Sequence, residues 1–474
     1  MAGAFSSINT ALSALRYQQS ALDIASTNIA NASTDGYVRR RVVGETVGAA
    51  AAPAVWSRSN EIGSGVQSSG VQRMVDPLLD ARVRREHGRQ TYLDTKAAAM
   101  SRVETGINEP STTGVAKAID TFRTSLDDLN NAPNSDAARS QVLANANGVA
   151  DAFNTQSRNL QDEMGDQRAR VVATVQEINT VAQQLADTNR SISASSGGGS
   201  DTATLMDTRD QLALRLSELT GATATPQADG TMDITLGGAS LVSGRDAATL
   251  EVSAGIAADG TADGSPVAFS LTQPDGSVDD PVVPSGGRLA ASVELIDHVL
   301  PDYAADLDAL VEQFTKAFND AHALGFDATG AQGGEFFHSS DPDDLAGSLR
   351  VVVTDRSKIA VSSIGTTPPA APVPNNDTGN AAKLADSITI QDGYQRLVNG
   401  FGSDVASIQR LAANQSTMTT QVDAAREQQT GVSLDEESVN MLMAQRSYEA
   451  AARVMTTVDE MLDTLINRTG LVGR

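Results

Sequence analysis

The sequence contains no cysteine among its 474 residues. Disulfide bonds, thiolate metal sites and cysteine nucleophiles are therefore excluded. Aromatic residues make up only 4% of the chain, and much of its 40% apolar share is Ala, Leu and Val at helical spacing. This composition favours long helices over the sandwich cores of all-β proteins, and a chain of this length is expected to form two to four domains.

Long apolar segments are also missing. No stretch approaches the 18 consecutive apolar residues of a typical membrane-spanning helix. Residues 1–10 lack the basic region and the apolar region of a secretory signal peptide. We therefore expect a soluble protein without membrane insertion, which does not use the general secretory signal if it is exported.

The charge of the chain is strongly negative but unevenly distributed. The formal net charge is −24, whereas residues 1–90 carry 10 Lys and Arg against 7 Asp and Glu. An acidic body disfavours nucleic acid and anionic lipid as partners. Basic residues concentrate at positions 39–41 and in four arginines between 82 and 89, without the interleaved aromatics of a nucleic-acid platform. We expect them to meet acidic surfaces of neighbouring copies, where they would set orientation and register.

Residue clusters typical of catalysis, metal binding or nucleotide binding are lacking. The four histidines are scattered, so each is expected to be a surface or hydrogen-bonded polar side chain. Residues 327–330 read Asp-Ala-Thr-Gly, but they lack the second copy that an aspartic-protease dyad requires. The acidic residues 341–344 lack the Gly and the distal Glu of an EF-hand loop. The sequence predicts no enzyme activity, no cofactor and no metal site.

Apolar residues near the start of the chain recur every seven positions. The row formed by Ile8, Leu15, Leu22 and Ile29 is an a/d-type seam on one helix. Such a helix is marginal alone in water and needs a partner. The pattern stops in the turn-forming residues 31–36, where Asn side chains could cap the helix end in the left-handed conformation, and residues 37–43 then resemble a strand.

A second heptad pattern lies at the other end of the chain. Residues 433–436 read Ser-Leu-Asp-Glu, a capping box in which the Ser hydroxyl accepts from the Glu amide and the Glu side chain reaches back. The two rows that follow, three residues apart, are Met441, Tyr448, Met455 and Leu462, and Ala444, Ala451, Val458 and Leu465. We predict that the helices at the two ends pair as a coiled coil.

Between the ends, the pattern changes from helix to strand and back. A helix is predicted from position 77, and a long antiparallel or coiled-coil helix over 134–193. Further helices are predicted after a Gly/Ser break at 195–200, over 289–324 and from position 380 onward. Residues 221–287 consist of short Thr/Val/Ile runs with Asp-Gly and Gly-Gly turns, which predict β-hairpins. Residues 325–380 are loop-rich, with one strand at 349–354.

The predicted fold is therefore multidomain and mainly α with an inserted β-domain, comprising a terminal coiled coil, a long antiparallel helical bundle and a small β-hairpin domain. The predicted division has four parts: residues 1–60 with 430–474 as a terminal coiled-coil domain, 61–220 with 288–325 and 376–429 as a long-helix domain, 221–287 as the inserted β-domain, and 326–375 as a loop-rich segment with short strands.

The two ends resemble a known family. Residues 7–15, Asn28-Ile-Ala-Asn31 and Gly36-Tyr37-Val-Arg39 are similar to the shared N-terminal signature of flagellar rod, hook and hook-associated proteins. Residues 431–437, 445–454 and 463–467 are more specifically similar to the hook-associated members. Inner segments agree with this layout, among them Asp207-Thr-Arg-Asp-Gln211.

The resemblance implies a structural subunit at the junction of hook and filament, outside the cell, exported through the flagellar type III apparatus and assembled by coaxial packing of its terminal helices. The implied partners are a ring of like subunits, the hook protein, a second junction protein and an export chaperone that binds the C-terminal helix. The residues expected to carry assembly are, near the N-terminus, Ile8, Leu15, Leu22, Asn28, Ile29, Asn31, Gly36 and Tyr37 and, near the C-terminus, Val432, Leu434, Asp435, Glu436, Met441, Tyr448, Met455 and Leu462.

Three alternatives remain at this stage. The first is a flagellar hook or distal rod subunit, whose ends are related to these. The second is a secreted enzyme or binding module carried on residues 221–287, which contain no catalytic pattern. The third is a coiled-coil signalling or adaptor protein, because long heptad helices also build receptor rods.

Overall fold

The computed structural model describes residues 2–47, 65–197, 202–366 and 376–467. Part of the predicted Gly/Ser break at 195–200 and the tail 468–474 lie outside these residues. The helices are α1 (Ala2–Ala30), α2 (Pro77–Ile107), α3 (Val115–Asn131), α4 (Asp136–Gly197), α5 (Ala203–Thr220), α6 (Gly287–Glu294), α7 (Leu300–Ala323), α8 (Ala381–Ser387), α9 (Gln391–Thr430) and α10 (Leu434–Asn467).

The strands are short and form four antiparallel sheets. They are β1 (Arg40–Thr46), β2 (Val66–Arg73), β3 (Thr223–Pro226), β4 (Met232–Leu236), β5 (Ala239–Ser243), β6 (Asp246–Ala247), β7 (Thr249–Ala254), β8 (Ala268–Thr272), β9 (Val278–Val282), β10 (Phe337–Ser339) and β11 (Leu349–Val351). Strands β1 and β2 pair, β3 to β6 form a four-stranded sheet, β7 to β9 a three-stranded sheet, and β10 pairs with β11. The predicted fold class, mainly α with an inserted β region, is confirmed.

Helix α4 is the longest element of the described chain. Its 62 residues span about 93 Å at 1.5 Å per residue. Its first half packs against α3, α7 and α8, its middle at Leu160 against α2 and α9, and its second half against α5 and the β region. One helix therefore passes through all three hydrophobic clusters.

The apolar stripe on the second half of α4 packs against strands as well as helices. Val171, Ile178 and Leu185 are fully buried, as the spacing predicts. They lie in a cluster with α5, α6 and strands β4 to β9, rather than with one long antiparallel helix. The stripe therefore packs against helix α5, as its spacing predicts, and also against strands, because a helical stripe fits a sheet face as well as a helix and its spacing does not distinguish them.

The predicted loop-rich segment contributes to the largest cluster. Its predicted strand is confirmed only at Leu349–Val351, and it pairs with a second strand, β10, which was not predicted. Phe336 and Phe337 are fully buried beside Phe318, with ring centroids 5.0 and 5.3 Å away. Six of the ten phenylalanines of the chain lie in this cluster: Phe122, Phe153, Phe314, Phe318, Phe336 and Phe337.

The predicted helix 289–324 is continuous but widens at one place. Residues Leu295–Val299 form a π-helical turn between α6 and α7, in which the Leu300 amide donates to the Leu295 carbonyl. Pro301 follows directly and has no N–H to continue the ordinary ladder. The wider turn therefore accommodates proline without breaking the helix.

His87 connects three helices. Its Nε2 lies 3.0 Å from Asp423 Oδ1 of α9, and its Nδ1 lies 3.4 Å from Glu218 Oε1 of α5, a carboxylate that also binds Arg215. The hydrogen bond to Glu218 raises the pKa of His87, burial opposes this, and Asp423 adds to the increase. Protonated His87 therefore holds α2, α5 and α9 together.

We expect Phe122→Ala to lower the free energy of unfolding by about 3–5 kcal/mol, because it removes a ring that contacts three others in a closed core. Denaturant titration followed by circular dichroism measures the loss. Val278→Ala, at a valine that is 57% exposed, is the control and should change stability by less than about 0.5 kcal/mol. Equal effects of the two changes would contradict the described core.

The stabilisation from His87 should depend on pH. Because its folded pKa is raised, the contribution is complete below the ordinary histidine value of about 6.5 and is lost as pH rises through the folded pKa. The stability difference between wild type and His87→Gln, on the order of 1 kcal/mol, should therefore shrink as the pH rises from about 6.5 through the raised folded pKa. Asn414→Gln, at an exposed position of α9 without a titratable group, should show no such trend. A constant difference for His87→Gln would contradict the ion pairs.

Candidate functional site

The two ends of the chain pack side by side in opposite directions. The last turns of α1 lie at the start of α10, where Asn28 bonds to Glu437, and α1 contacts α10 along their length. The residues buried between them are small, among them Ala11, Ala25 and Ala444. The predicted pairing of the terminal helices is therefore observed, within one chain.

A buried polar cluster fixes this pairing; we call it the end joint, formed by Asn28, Tyr37, Arg39, Arg40 and Glu437. The Asn28 Nδ2 donates to Glu437 Oε2 and to the Arg40 carbonyl, both at 2.9 Å. Its Oδ1 accepts from the Tyr37 hydroxyl at 2.8 Å and from the Arg40 amide at 3.1 Å. All four hydrogen-bonding positions of this fully buried amide are thus used.

The carboxylate of Glu437 is 2% exposed and is bound on both oxygens. Arg39 Nε donates to its Oε1 at 2.8 Å, opposite the bond from Asn28. Arg39 Nη1 also binds Glu436 Oε2 at 2.8 Å. A buried carboxylate is tolerated only with partners of this kind, so removing either partner is expected to destabilise the joint.

The predicted capping box forms only in part. The Glu436 amide donates to the Ser433 hydroxyl over a long 3.4 Å, as expected. The Glu436 side chain, however, does not reach back to Ser433, because it pairs with Arg39. The ion pair with Arg39 therefore replaces the local hydrogen bond to the Ser433 amide.

Arg40 and Arg73 connect the end joint to α5. Arg40 Nη2 binds Asp207 Oδ2 at 2.9 Å, and Arg73 binds the other oxygen of Asp207 and also Asp210. Burial alone would lower the pKa of Arg73, but Asp210 and Asp207 outweigh it and raise the pKa. The chain ends are therefore tied to the long-helix region through charges that are shielded from solvent.

Gly36 allows the turn after α1 to approach α5 closely. Its φ is +75°, in the left-handed region that favours glycine, and a Cβ there would collide with the Gln211 side chain. Gln211 Nε2 donates to the Asp35 carbonyl at 2.6 Å. The N-terminal signature and the segment 207–211, far apart in sequence, thus form one contact.

The structure divides the residues predicted for assembly into three groups. Asn28 and Tyr37 belong to the end joint and Gly36 lies beside it. Half-buried along the α1–α10 pair or at its edges are Ile8, Leu15, Leu22, Ile29, Asn31, Val432, Met455 and Leu462. Exposed on α10 are Leu434, Asp435, Glu436, Met441 and Tyr448. The assembly role of these residues stays a prediction.

Two details of the prediction were wrong. Asn31 does not adopt the left-handed conformation; its side-chain amide instead donates to the Thr27 carbonyl at 2.9 Å. Strand β1 begins at Arg40 rather than at Tyr37, because residues 37–39 enter the end joint.

The basic residues expected to contact neighbouring copies mostly pair within the chain. Arg39 and Arg40 bind Glu437 and Asp207, and Arg85 and Arg89 lie 3.6 and 3.8 Å from Glu86. The expected contact of these arginines with neighbouring copies stays a prediction. The sequence signal that could have revealed the end joint was the opposite charge of residues 39–41 and 435–437. The contacts of Glu437, Arg40 and Asp207 were not predicted.

The apolar stripe of α10 is wider than the surface that α1 covers. Ala444 and Val458 are buried beneath α1. Beside them runs a row of large side chains, each more than half exposed, which we call the outer row: Val439, Met443, Val454 and Met461. Their spacings of four, eleven and seven residues place them on one face of the helix. Exposed apolar surface of this kind is often found at interaction sites, so the outer row is a candidate site.

Within the described ranges, no helix is long and apolar enough to cross a membrane. The same part of the chain holds no group of three or more His, Asp or Glu side chains that could bind a metal ion.

Comparison with known proteins agrees with this geometry. Residues 100–337 match the family model described as "Flagellar hook-associated protein FlgK helical domain". Residues 8–37 match "Flagella basal body rod protein", and residues 426–468 match "Flagellar basal body rod FlgEFG protein C-terminal". The two rod matches thus cover most of α1 and α10, together with the end joint except Arg39 and Arg40.

Curated relatives match over their full length. Flagellar hook-associated protein 1 of Bacillus subtilis (strain 168) is 32% identical, with 100% of both chains covered. The protein of the same name from Escherichia coli (strain K12) is 26% identical, over 97% of this chain and 99% of its own. A solved structure, the flagellar hook junction protein FlgK from Burkholderia pseudomallei, has a TM-score of 0.61 at 16% identity, covering 74% of this chain and all of that chain, and supports the fold.

We expect Asn28→Ala to loosen the α1–α10 pair by about 1–3 kcal/mol, because it leaves Glu437, Tyr37 and the Arg40 backbone without a buried partner. Amide hydrogen exchange of the full chain should become about 5- to 150-fold faster in α1 and early α10, with α2 to α9 unchanged. Asn31→Ala, which removes one bond at the helix end, is the matched control. Unchanged exchange in α1 of Asn28→Ala would contradict the role of the joint.

Proposed function

Because the chain belongs to the flagellar hook-associated protein 1 family, we propose that it is a structural subunit that joins the hook of the bacterial flagellum to the filament. The observation that carries the proposal is the 32% identity over the whole of both chains. The family is one of structural proteins, and the proposed role requires binding rather than catalysis.

The proposed mechanism of assembly is coaxial packing of the paired ends of neighbouring copies. The outer row of α10 supplies the apolar surface, and the exposed or half-buried residues Met441, Tyr448, Met455 and Leu462 extend it on the other flank. Covering such side chains contributes about 25 cal/mol per Å² of apolar surface. The end joint holds both helices of each copy in one orientation, so that the same surface is presented every time.

The same exposed row suggests how the chain is handled before assembly. An apolar surface of this kind favours non-specific association while the subunit is still inside the cell. We propose that an export chaperone covers α10 until the chain leaves through the flagellar type III apparatus. The mature site is then extracellular, between the hook protein and a second junction protein.

A hook or distal rod subunit is the alternative within the flagellum. The matches of α1 and α10 to rod families are compatible with it. The match of residues 100–337 to the helical domain of hook-associated proteins favours the junction. A coiled-coil adaptor is disfavoured, because the paired ends are short and are tied to α5 by Arg40 and Arg73.

The proposal is tested in cells that lack this chain. Wild type should restore filaments on existing hooks, whereas Val454→Glu and Met461→Glu should be exported normally but give about tenfold fewer filaments per hook, because each places a charge in the apolar contact. Electron microscopy counts hooks and filaments. Thr456→Glu, on an exposed face of the same helix away from the outer row, is the control and should behave as wild type.

Normal filament numbers with both outer-row variants would refute the packing mechanism. Loss of the hooks themselves in cells without the chain would favour a hook or rod subunit. Filaments in the complete absence of the chain would refute the junction role.

A further inference from the structure

A groove of about 690 Å³ lies where β2, the start of α2, the start of α5 and strand β4 meet. Its walls include the apolar side chains of Val71, Val75 and Met206, and Val75 is 37% exposed. Its charged lining consists of Arg73, Arg84 and Arg209 against Asp80 and Asp210. The groove is therefore locally cationic in a chain whose net charge is −24.

Arg84 differs from the other two arginines of the groove. Arg73 binds Asp207 and Asp210, and Arg209 binds Asp210 and the Gly230 carbonyl. Arg84 is only 7% exposed, yet it has no hydrogen bond and no ion pair within 4.0 Å among the residues that the structure describes. Burial lowers the pKa of Arg84, and the more distant charges of Asp210 and Asp80 do not offset this.

A second feature of the groove also favours negative charge. Helix α5, of 18 residues, begins there, and Thr202 and Ala203 line the groove. The Thr202 side chain makes no capping bond, and the first turn holds no acidic residue. The positive end of a helix dipole and the guanidinium of Arg84, which has no hydrogen-bond partner among the described residues, therefore meet in one cavity.

We propose that this groove binds an aspartate or glutamate side chain of a second copy of the chain, with Arg84 as the residue that binds the carboxylate. The proposal rests on the proposed function, in which copies of the chain pack against one another. A planar guanidinium matches a carboxylate with two parallel hydrogen bonds, and the apolar walls exclude water from the contact.

A second copy is the occupant that charge favours. Beyond residue 90 the chain carries 52 Asp and Glu against 25 Lys and Arg, so nearly any neighbouring surface offers carboxylates. The burial of Arg84 in the free subunit is offset only in part by the charges of Asp210 and Asp80, which is unfavourable. It becomes favourable only when a partner carboxylate arrives, so the residue stabilises the assembled state at the expense of the free one.

This trade-off gives a signature that a purely structural arginine does not share. In the purified full chain, Arg84→Met should raise the Tm by about 2 °C or more, because a similar volume is kept and a buried charge is removed. Arg84→Gln should change the Tm in the same direction and serves if the methionine variant does not fold. Arg82→Met, at an exposed arginine one half-turn away, is the control and should leave the Tm unchanged.

The contact itself is tested by replacing Val75 with the photo-crosslinking residue p-benzoylphenylalanine in the full chain, in cells that assemble flagella. Irradiated flagella are isolated, and crosslinked peptides are identified by mass spectrometry. We expect crosslinks to a peptide of a second copy that contains Asp or Glu. Their yield should fall at least fivefold when Arg84→Met is added and should not change with Arg82→Met.

Several results would overturn the inference. They are a lower Tm for both Arg84 variants, crosslinks only within one chain or to a different protein, no crosslinks, or a yield that is independent of Arg84. If the chain is found in isolated flagella but fails these tests, only the inference is lost. Absence of the chain from the flagella would refute the proposed function, and the inference with it.

Discussion

The bond between Asn28 and Glu437 joins residues that are 409 positions apart, and the arrangement of the two chain ends depends on it. A carboxylate that is 2% exposed requires partners on both oxygens, and Asn28 and Arg39 supply them only when α1 lies antiparallel to α10. Sliding either helix by one turn would leave Glu437, Asn28 and Tyr37 unpaired together. The end joint therefore selects one register for two helices whose mostly small buried residues would permit several.

The energetic roles of the two kinds of contact at the chain ends are different. The apolar contact between α1 and α10 is non-directional and modest, because its buried residues are mostly alanine. The end joint adds direction, and through Asp207 it extends to α5. As a result, the outer row of α10, which α1 does not cover, faces outward in an orientation that the contact with α5 fixes. The outer surface of α10 is thus specified by polar contacts on its inner side.

The repeating patterns of the sequence predicted the elements well, and the pairing between elements less well. Apolar spacing predicted α4, α5, α7 and α10, and turn residues predicted the β region between 221 and 287, because these signals are local. Spacing could not reveal that Val171 and Leu185 face strands, or that Arg39 meets Glu437, since a periodic pattern identifies a face and not its neighbour. Phe336 and Phe337 were placed in a loop-rich segment because their burial comes entirely from distant helices. The resemblance of the ends pointed to the family correctly, but it did not indicate that the most constrained residues would be Asn28, Glu437 and the arginines between them.

The length and continuity of helix α4 have a mechanical consequence. A continuous α-helix resists bending over its length, and α4 is embedded in each of the three clusters in turn. A force applied to the β region is therefore transmitted along one continuous helix to the phenylalanine cluster about 50 Å away, instead of being absorbed at flexible hinges between domains. The middle of α4 packs against α2 and α9, the helices that connect to the paired ends. The helical body accordingly deforms as one elastic unit, a property suited to the proposed position at the junction of hook and filament.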